Sequence, residues 1–265
     1  MSRASTVAVH PELVTLAHRL ADAAGEIQRR WFRTPVAVDA KADRSPVTIA
    51  DREAEAVMRE LIEASFPEHG ILGEEHGRVR TEAEHVWVLD PIDGTKSFVS
   101  GRPLFGTLIG LLREGRPVLG VIDQAILGER WLGVAGAPTL CNGRVCRTRS
   151  CGEPGRALLS CTSPQMFHTP AERAALDRVL ASVRQAIWGG DCYGAGLLAL
   201  GFVDLVIEAD LEPYDVLPLV PIVEGAGGRL TDWAGRPPGL ASDQRMVAAG
   251  DARLHAGILE LLQGS

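Results

Sequence analysis

Four acidic stretches of the chain could do chemistry: VTIAD ending at Asp51, GEE with Glu74 and Glu75, DPIDGT running from Asp90 to Thr95, and YD ending at Asp215. Carboxylates backed by main-chain carbonyls suit a hard cation. Magnesium takes about six oxygens and usually keeps waters and substrate phosphates among them, so an incomplete protein cage is what it needs. In the third stretch an apolar run, VWVL, leads straight into two aspartates, which places both at the end of a strand, where sites are commonly built. Pro91 fixes the backbone after Asp90 and leaves the Ile92 carbonyl free to face a cation, while Gly94 lets the main chain approach a ligand closely. If Gly94 and Thr95 open a helix or turn, their amides would cradle a phosphate.

Each stretch also has a plainer reading. An Asp-Gly pair between strands makes an ordinary turn. Asp51 and Asp215 stand where helix caps stand, and Glu74 with Glu75 makes a solvated acidic turn. A nucleophilic aspartate of the haloacid-dehalogenase kind needs acids at i and i+2 on one side of an extended strand. Asp90 and Asp93 are three apart, so that chemistry is set aside.

The elements that must carry these residues alternate along the chain. Leu13, Leu16, Leu20, Ala24, Ile27 and Trp31 recur at helical spacing behind Pro11, and a second helix through AEAVMRELIEASF stops before Pro67. The runs VWVLD, GTLIGLL, VLGVID and RWLGVAG predict a sheet with hairpins. A Gly/Pro/Ser break near residue 150 divides an N-terminal lobe, residues 1–150, from a C-terminal lobe, residues 151–265. The second lobe reads as strand ALLSCTS, helices AERAALDRVLASV and CYGAGLLALG, strand VDLVIEAD and helix VLPLVPIVEGAGG, with Pro218 and Pro221 disturbing the last. The glycines of EGAGGRL predict a helix end and a close strand approach.

Composition narrows the function classes. With 265 residues, 46% hydrophobic content and a formal net charge of -7, the chain predicts a globular protein without the basic stripe that nucleic acids require. No window reaches the roughly 18 uninterrupted apolar residues of a membrane span, and no secretory leader pattern opens it, so the expected address is cytoplasmic and the expected partner a small molecule. The five cysteines lack metal-ligand spacing and read as reduced thiols, and the seven scattered histidines offer no ligand pair.

Taken in order, VTIAD, GEE, DPIDGT and YD before a Gly-Gly-ended helix resemble the inositol monophosphatase superfamily of magnesium-dependent phosphatases, over nearly the whole chain. The resemblance implies an α/β fold, a layered αβαβα sandwich of the sugar-phosphatase type, and commonly a homodimer. It implies one magnesium ion on Glu74, Asp90 and the Ile92 carbonyl, a second on Asp90, Asp93 and Asp215, and a third, weakly held, near Glu74. Thr95 and Asp51 would orient and deprotonate the attacking water, with Gly94 and Thr95 at the phosphate, and Lys41 would face that phosphate or remain a surface lysine. Tyr214 departs from the family's usual tryptophan, which puts local packing in question.

Within the superfamily, GVIDQAILGERWLGV, GGDCYGAGLLALG and DLVIEADLEPYD resemble the histidinol-phosphatase branch. Its substrate carries an amine and an imidazole, and Asp191 and Glu208, the latter aligned with the family's substrate-contacting glutamate, suit a cationic alcohol. Asp191 also reads as a helix N-cap, and Asp210 as a solvated acid. Inositol 1-phosphate, fructose 1,6-bisphosphate and 3′-phosphoadenosine phosphate stay open as substrates, as does a phosphate-binding regulator without turnover.

Overall fold

The apolar stripe behind Pro11 forms α1 (Pro11–Trp31), and Thr48 opens α2 (Ile49–Ser65) through a capping box: its hydroxyl accepts from the Ala50 amide at 3.1 Å while Asp51 Oδ2 accepts from the Thr48 amide at 2.8 Å. The computed structural model describes residues 9–35, 38–40, 46–241 and 243–264. Lys41 lies outside the described residues.

Between the two helices run β1 (Val38–Ala40) and β2 (Pro46–Thr48), an antiparallel pair. Eight strands follow: β3 (Gly70–Gly73), β4 (Gly77–Val79), β5 (His85–Asp93), β6 (Gly106–Arg113), β7 (Arg116–Gln124), β8 (Glu129–Val134), β9 (Leu140–Cys141) and β10 (Arg144–Val145). The short helix α3 (Thr95–Val99) separates β5 from β6. These eight strands form one sheet in the order β10-β9-β8-β7-β6-β5-β3-β4, antiparallel except for the β3/β5 pair.

A second sheet draws its strands from residues 158–249. It contains β11 (Leu158–Cys161), β12 (Gln185–Trp188), β13 (Leu205–Glu208), β14 (Arg229–Thr231) and β15 (Met246–Ala249), ordered β12-β11-β13-β15-β14. The helices around it are α4 (Pro170–Ser182), α5 (Asp191–Ala199), α6 (Pro213–Val216), α7 (Leu219–Gly225) and α8 (Ala252–Gln263).

Strand alternation sorts the apolar residues into layers. Ile109 and Val121 face α1 and α2; Leu108 and Ile122, their neighbours in sequence, face α5 and α7 with Val206 of the second sheet; Leu205 and Ile207 face α4 and α8. The order is therefore αβαβα, as the resemblance implies. The helix expected across VLPLVPIVEGAGG is shorter than read, α7 running only from Leu219 to Gly225, because Pro218 cannot donate to the preceding turn and separates it from α6, which ends at Val216. The break is seated on a bare strand: a Cβ at Gly120 would lie 1.8 Å from the Pro218 carbonyl oxygen. Tyr214, where the family's usual residue is tryptophan, packs against a small cluster with Leu72, Val88 and Leu217. Among the described residues no helix is long and apolar enough to cross a membrane.

His255 of α8 makes the fold sensitive to acid. It is 2% exposed, shares a 2.9 Å hydrogen bond with Thr231, and burial lowers its pKa from 6.5 to about 4. The folded state thus favours the neutral ring, a contribution complete above the unfolded pKa and lost as pH falls through the folded one, on the order of 3 kcal/mol at most. Urea unfolding at neutral pH and at about pH 4 should show wild type losing more stability than His255→Leu. Equal losses would remove His255 from the acid response.

Candidate active site

β5 is buried on both faces, which accounts for its unbroken apolar run. Its pairing with β6 shifts between Asp90, opposite Leu108, and Asp93, opposite Gly106, so three steps on β5 meet two on β6. Regular alternation would send Asp90 and Asp93 to opposite faces; the extra residue restores them to one side. Pro91, which has no amide to donate, sits within this bulge. The Ile92 amide donates to Asp90 Oδ1 at 3.0 Å, and the Ile92 carbonyl accepts from Thr95 Oγ1 at 3.2 Å. Gly94 then turns the chain with φ of 86° to begin α3.

Neighbouring elements bring the other acids alongside. β3 runs parallel to β5, and the Glu74 amide donates to the Leu89 carbonyl at 3.2 Å, which sets Glu74 level with Asp90. Asp215 lies in the first turn of α6, where its Oδ2 accepts from the Glu212 amide at 2.8 Å. Asp90, Asp93 and Asp215 offer oxygens within 4.8 Å of one another. Asp51 points its other oxygen, Oδ1, at Thr95 Oγ1, 3.3 Å away, while its Oδ2 holds both the amide and the hydroxyl of Thr48.

Burial first, and then the other carboxylates, raises the pKa of this group. Asp90 stands well above the usual carboxylate range through burial and the charges of Glu74, Asp93 and Asp215; Asp215 is likewise raised, and Asp93 reaches about 7 through burial and Asp191. Acids at such spacing, one buried and two half-buried, repel one another unless a cation or protons intervene. All-oxygen donors fit a hard divalent ion, and the residues present fit magnesium by donor type. Cys192, whose amide bonds Asp93, keeps its proton, since burial and Asp93 push its thiol well above the ordinary range.

Beside the carboxylates a cavity of about 110 Å³ opens between α5 and β13, with Asp191, Glu208, Asp210 and Thr162 on its wall together with Asp93 and Asp215; among the described residues no lysine or arginine is part of the lining. Glu208 is 5% exposed and accepts from the amide and hydroxyl of Thr162 at 2.8 and 3.0 Å; burial raises it to about 8. Asp191 is not a helix N-cap. Gly190 holds that position, and Asp191, with φ of 43°, reaches back to accept from Ser97 Oγ at 2.6 Å and lies against Gly94, where a Cβ would meet its Cγ at 2.7 Å. Asp210 is exposed and pairs with His168 at 2.8 Å on the cavity rim.

The inositol monophosphatase family model matches residues 10–265. The chain belongs to the inositol monophosphatase family. A bifunctional phosphatase, IMPL2 (chloroplastic), of Arabidopsis thaliana is 51% identical over 253 residues, 92% of this chain and 73% of that protein. A histidinol-phosphatase of Chlorobaculum parvum is 34% identical over 238 residues, covering 89% and 92% of the two chains. The solved structure of an inositol monophosphatase from Zymomonas mobilis superposes with a TM-score of 0.89 at 49% identity, over 97% of this chain and 100% of that one. This member of the inositol monophosphatase family is accordingly a phosphoric monoester hydrolase with the family's layered fold.

Three supporting residues of this phosphatase escaped the sequence reading. Glu55, fully buried, accepts from the amides of Glu75 at 2.7 Å and His76 at 3.1 Å and from Arg59 Nε at 2.7 Å, and so anchors the turn that carries Glu74. Its signal was present: it stands four residues after Asp51, on the face of α2 that buries Ala50, Ala54 and Met58. Ser97 and Thr162 had no such signal, because their partners lie 94 and 46 residues away.

Proposed function

We propose that this phosphatase hydrolyses L-histidinol phosphate to L-histidinol and phosphate, with magnesium ions held by Glu74, Asp90, the Ile92 carbonyl, Asp93 and Asp215. The observation that carries the reading is the cavity wall, where Asp191, Glu208 and Asp210 stand beside the metal-type carboxylates and, among the described residues, no lysine or arginine lines it. An amine and an imidazole gain from such surroundings, whereas a second phosphate would be repelled. Burial raises Glu208 to about 8, and an ammonium group beside it favours its ionised form. The histidinol-phosphatase of Chlorobaculum parvum supports the same substrate class.

Magnesium at this site supplies neutralisation of the phosphate and acidification of an attacking water. The chain supplies the rest. The Thr95 hydroxyl stands between the Ile92 carbonyl and Asp51, at 3.2 and 3.3 Å; turned to Asp51, it passes its proton there and takes one from that water, Asp51 being raised by burial and kept oriented by Thr48. The first-turn amides of α3, behind Gly94, face the phosphate. No covalent phosphoenzyme is needed.

A second reading, hydrolysis of inositol 1-phosphate, is favoured by the likeness to the Zymomonas mobilis protein. Glu208→Gln separates the two. The amide oxygen still accepts from Thr162, so the fold is retained, but the charge is gone. Turnover of L-histidinol phosphate, read as kcat/KM, should fall roughly tenfold to a hundredfold while that of inositol 1-phosphate changes far less. An equal fall on both esters would take Glu208 out of amine recognition, and a wild-type preference for the inositol ester would favour the second reading.

A further inference from the structure

On the opposite side of the β5 bulge from the carboxylates lies a buried polar pair that the reaction does not touch. Gln28 of α1 is fully buried, in a helix face otherwise made of Leu13, Leu16, Leu20, Ala24 and Ile27. Its Nε2 donates to the Pro91 carbonyl at 2.7 Å and also to Thr107 Oγ1, and Thr107, equally buried, donates its hydroxyl to the same Pro91 carbonyl at 3.0 Å. Among the described residues the Gln28 Oε1 has no hydrogen-bond partner. A primary amide fixed in an apolar face at the expense of one unpaired acceptor is costly to stability alone, on which grounds a leucine would serve the helix better.

We infer that Gln28 and Thr107 are positioning residues which, by drawing the Pro91 carbonyl toward α1, aim the Ile92 carbonyl and the Asp90 and Asp93 side chains at the metal site. The inference rests on the metal reading above. Successive carbonyls of an extended chain point to opposite sides, so fixing that of Pro91 inward turns that of Ile92 toward Thr95, where it is found. Pro91 gives the bulge no amide of its own, and the register with β6 is interrupted over these residues, so the ladder alone leaves the Pro91–Ile92 peptide free to rotate. Partners of this kind, one step behind the ligands, commonly change metal affinity 10-fold to 100-fold when lost.

The test is direct binding of magnesium by calorimetry, and of manganese by electron paramagnetic resonance, to the protein without substrate, alongside thermal unfolding. Gln28→Met keeps the length and removes the donors; Thr107→Val keeps the shape and removes the hydroxyl. Each is expected to raise the metal Kd by roughly tenfold, with the double variant no worse than the stronger single one, since both act on one carbonyl. If Gln28→Met does not fold, Thr107→Val carries the test. Lowered melting temperatures with an unchanged Kd would assign both residues to packing and overturn the inference, and a wild type that binds neither metal would instead overturn the metal reading beneath it.

Discussion

Asp93→Asn is expected to lower magnesium-dependent phosphate release by on the order of 10³-fold or more, about 4 kcal/mol of transition-state stabilisation, and at the same time to make the metal-free protein harder to unfold. The two effects share one cause. Asp90, Asp93 and Asp215 are held within 4.8 Å of one another; burial raises all three above the usual carboxylate range, and the charge of Asp93 adds to the shift at Asp90 and Asp215 while Asp191 adds to that at Asp93. Removing one charge relieves the others, while the amide oxygen can still accept from the Cys192 amide. Without added metal, the melting temperature should rise by roughly 2–4 °C for each kcal/mol relieved. Activity and thermal unfolding measured on one preparation decide the matter. A folded Asp93→Asn protein with full turnover contradicts the metal site, and a variant that is merely unfolded contradicts the claim that these acids are kept together against stability.

Asp51→Asn is expected to lower kcat by roughly 10²-fold to 10⁴-fold, the range of a lost proton acceptor, without a comparable change in the magnesium concentration needed for half-maximal rate. Asp51 is spoken for by Thr48 on one oxygen and by Thr95 on the other, and it is not among the three acids that converge on a common point. An asparagine keeps an acceptor for Thr48 and so preserves the start of α2. The split between kcat and metal dependence is the informative quantity. Full recovery of kcat at high magnesium would make Asp51 a metal ligand and leave Thr95 without its partner.

What the sequence made legible follows from how far each signal reaches along the chain. The stripes of α1 and α2 and the doubly buried β5 announce themselves locally, because burial of a helix face or of both faces of a strand is written as periodicity or as an apolar run. The DPIDGT turn was legible as a candidate site because Pro91 restricts the backbone between the acids and Gly94, just after them, frees it to turn. The bulge that puts Asp90 and Asp93 on one side was not, since it exists only against β6. β9, β10 and β14 are two or three residues long and have no pattern to read, and β12 is an edge strand with Ile187 and Trp188 exposed. The Asp191 to Ser97 bond joins two helices from the two sheets, which no local rule foresees. Gln28 carried no local signal, since its partner, the Pro91 carbonyl, lies 63 residues away.

The most direct measurement is phosphate release from L-histidinol phosphate beside inositol 1-phosphate, fructose 1,6-bisphosphate and 3′-phosphoadenosine phosphate, at equal concentrations, with magnesium and with chelator. The acid-walled cavity predicts a strong preference for L-histidinol phosphate that disappears when the metal is removed. Turnover that survives chelation would contradict the metal site, and a preference for inositol 1-phosphate or for either bisphosphate would contradict the assignment of Asp191 and Glu208 to a cationic substrate.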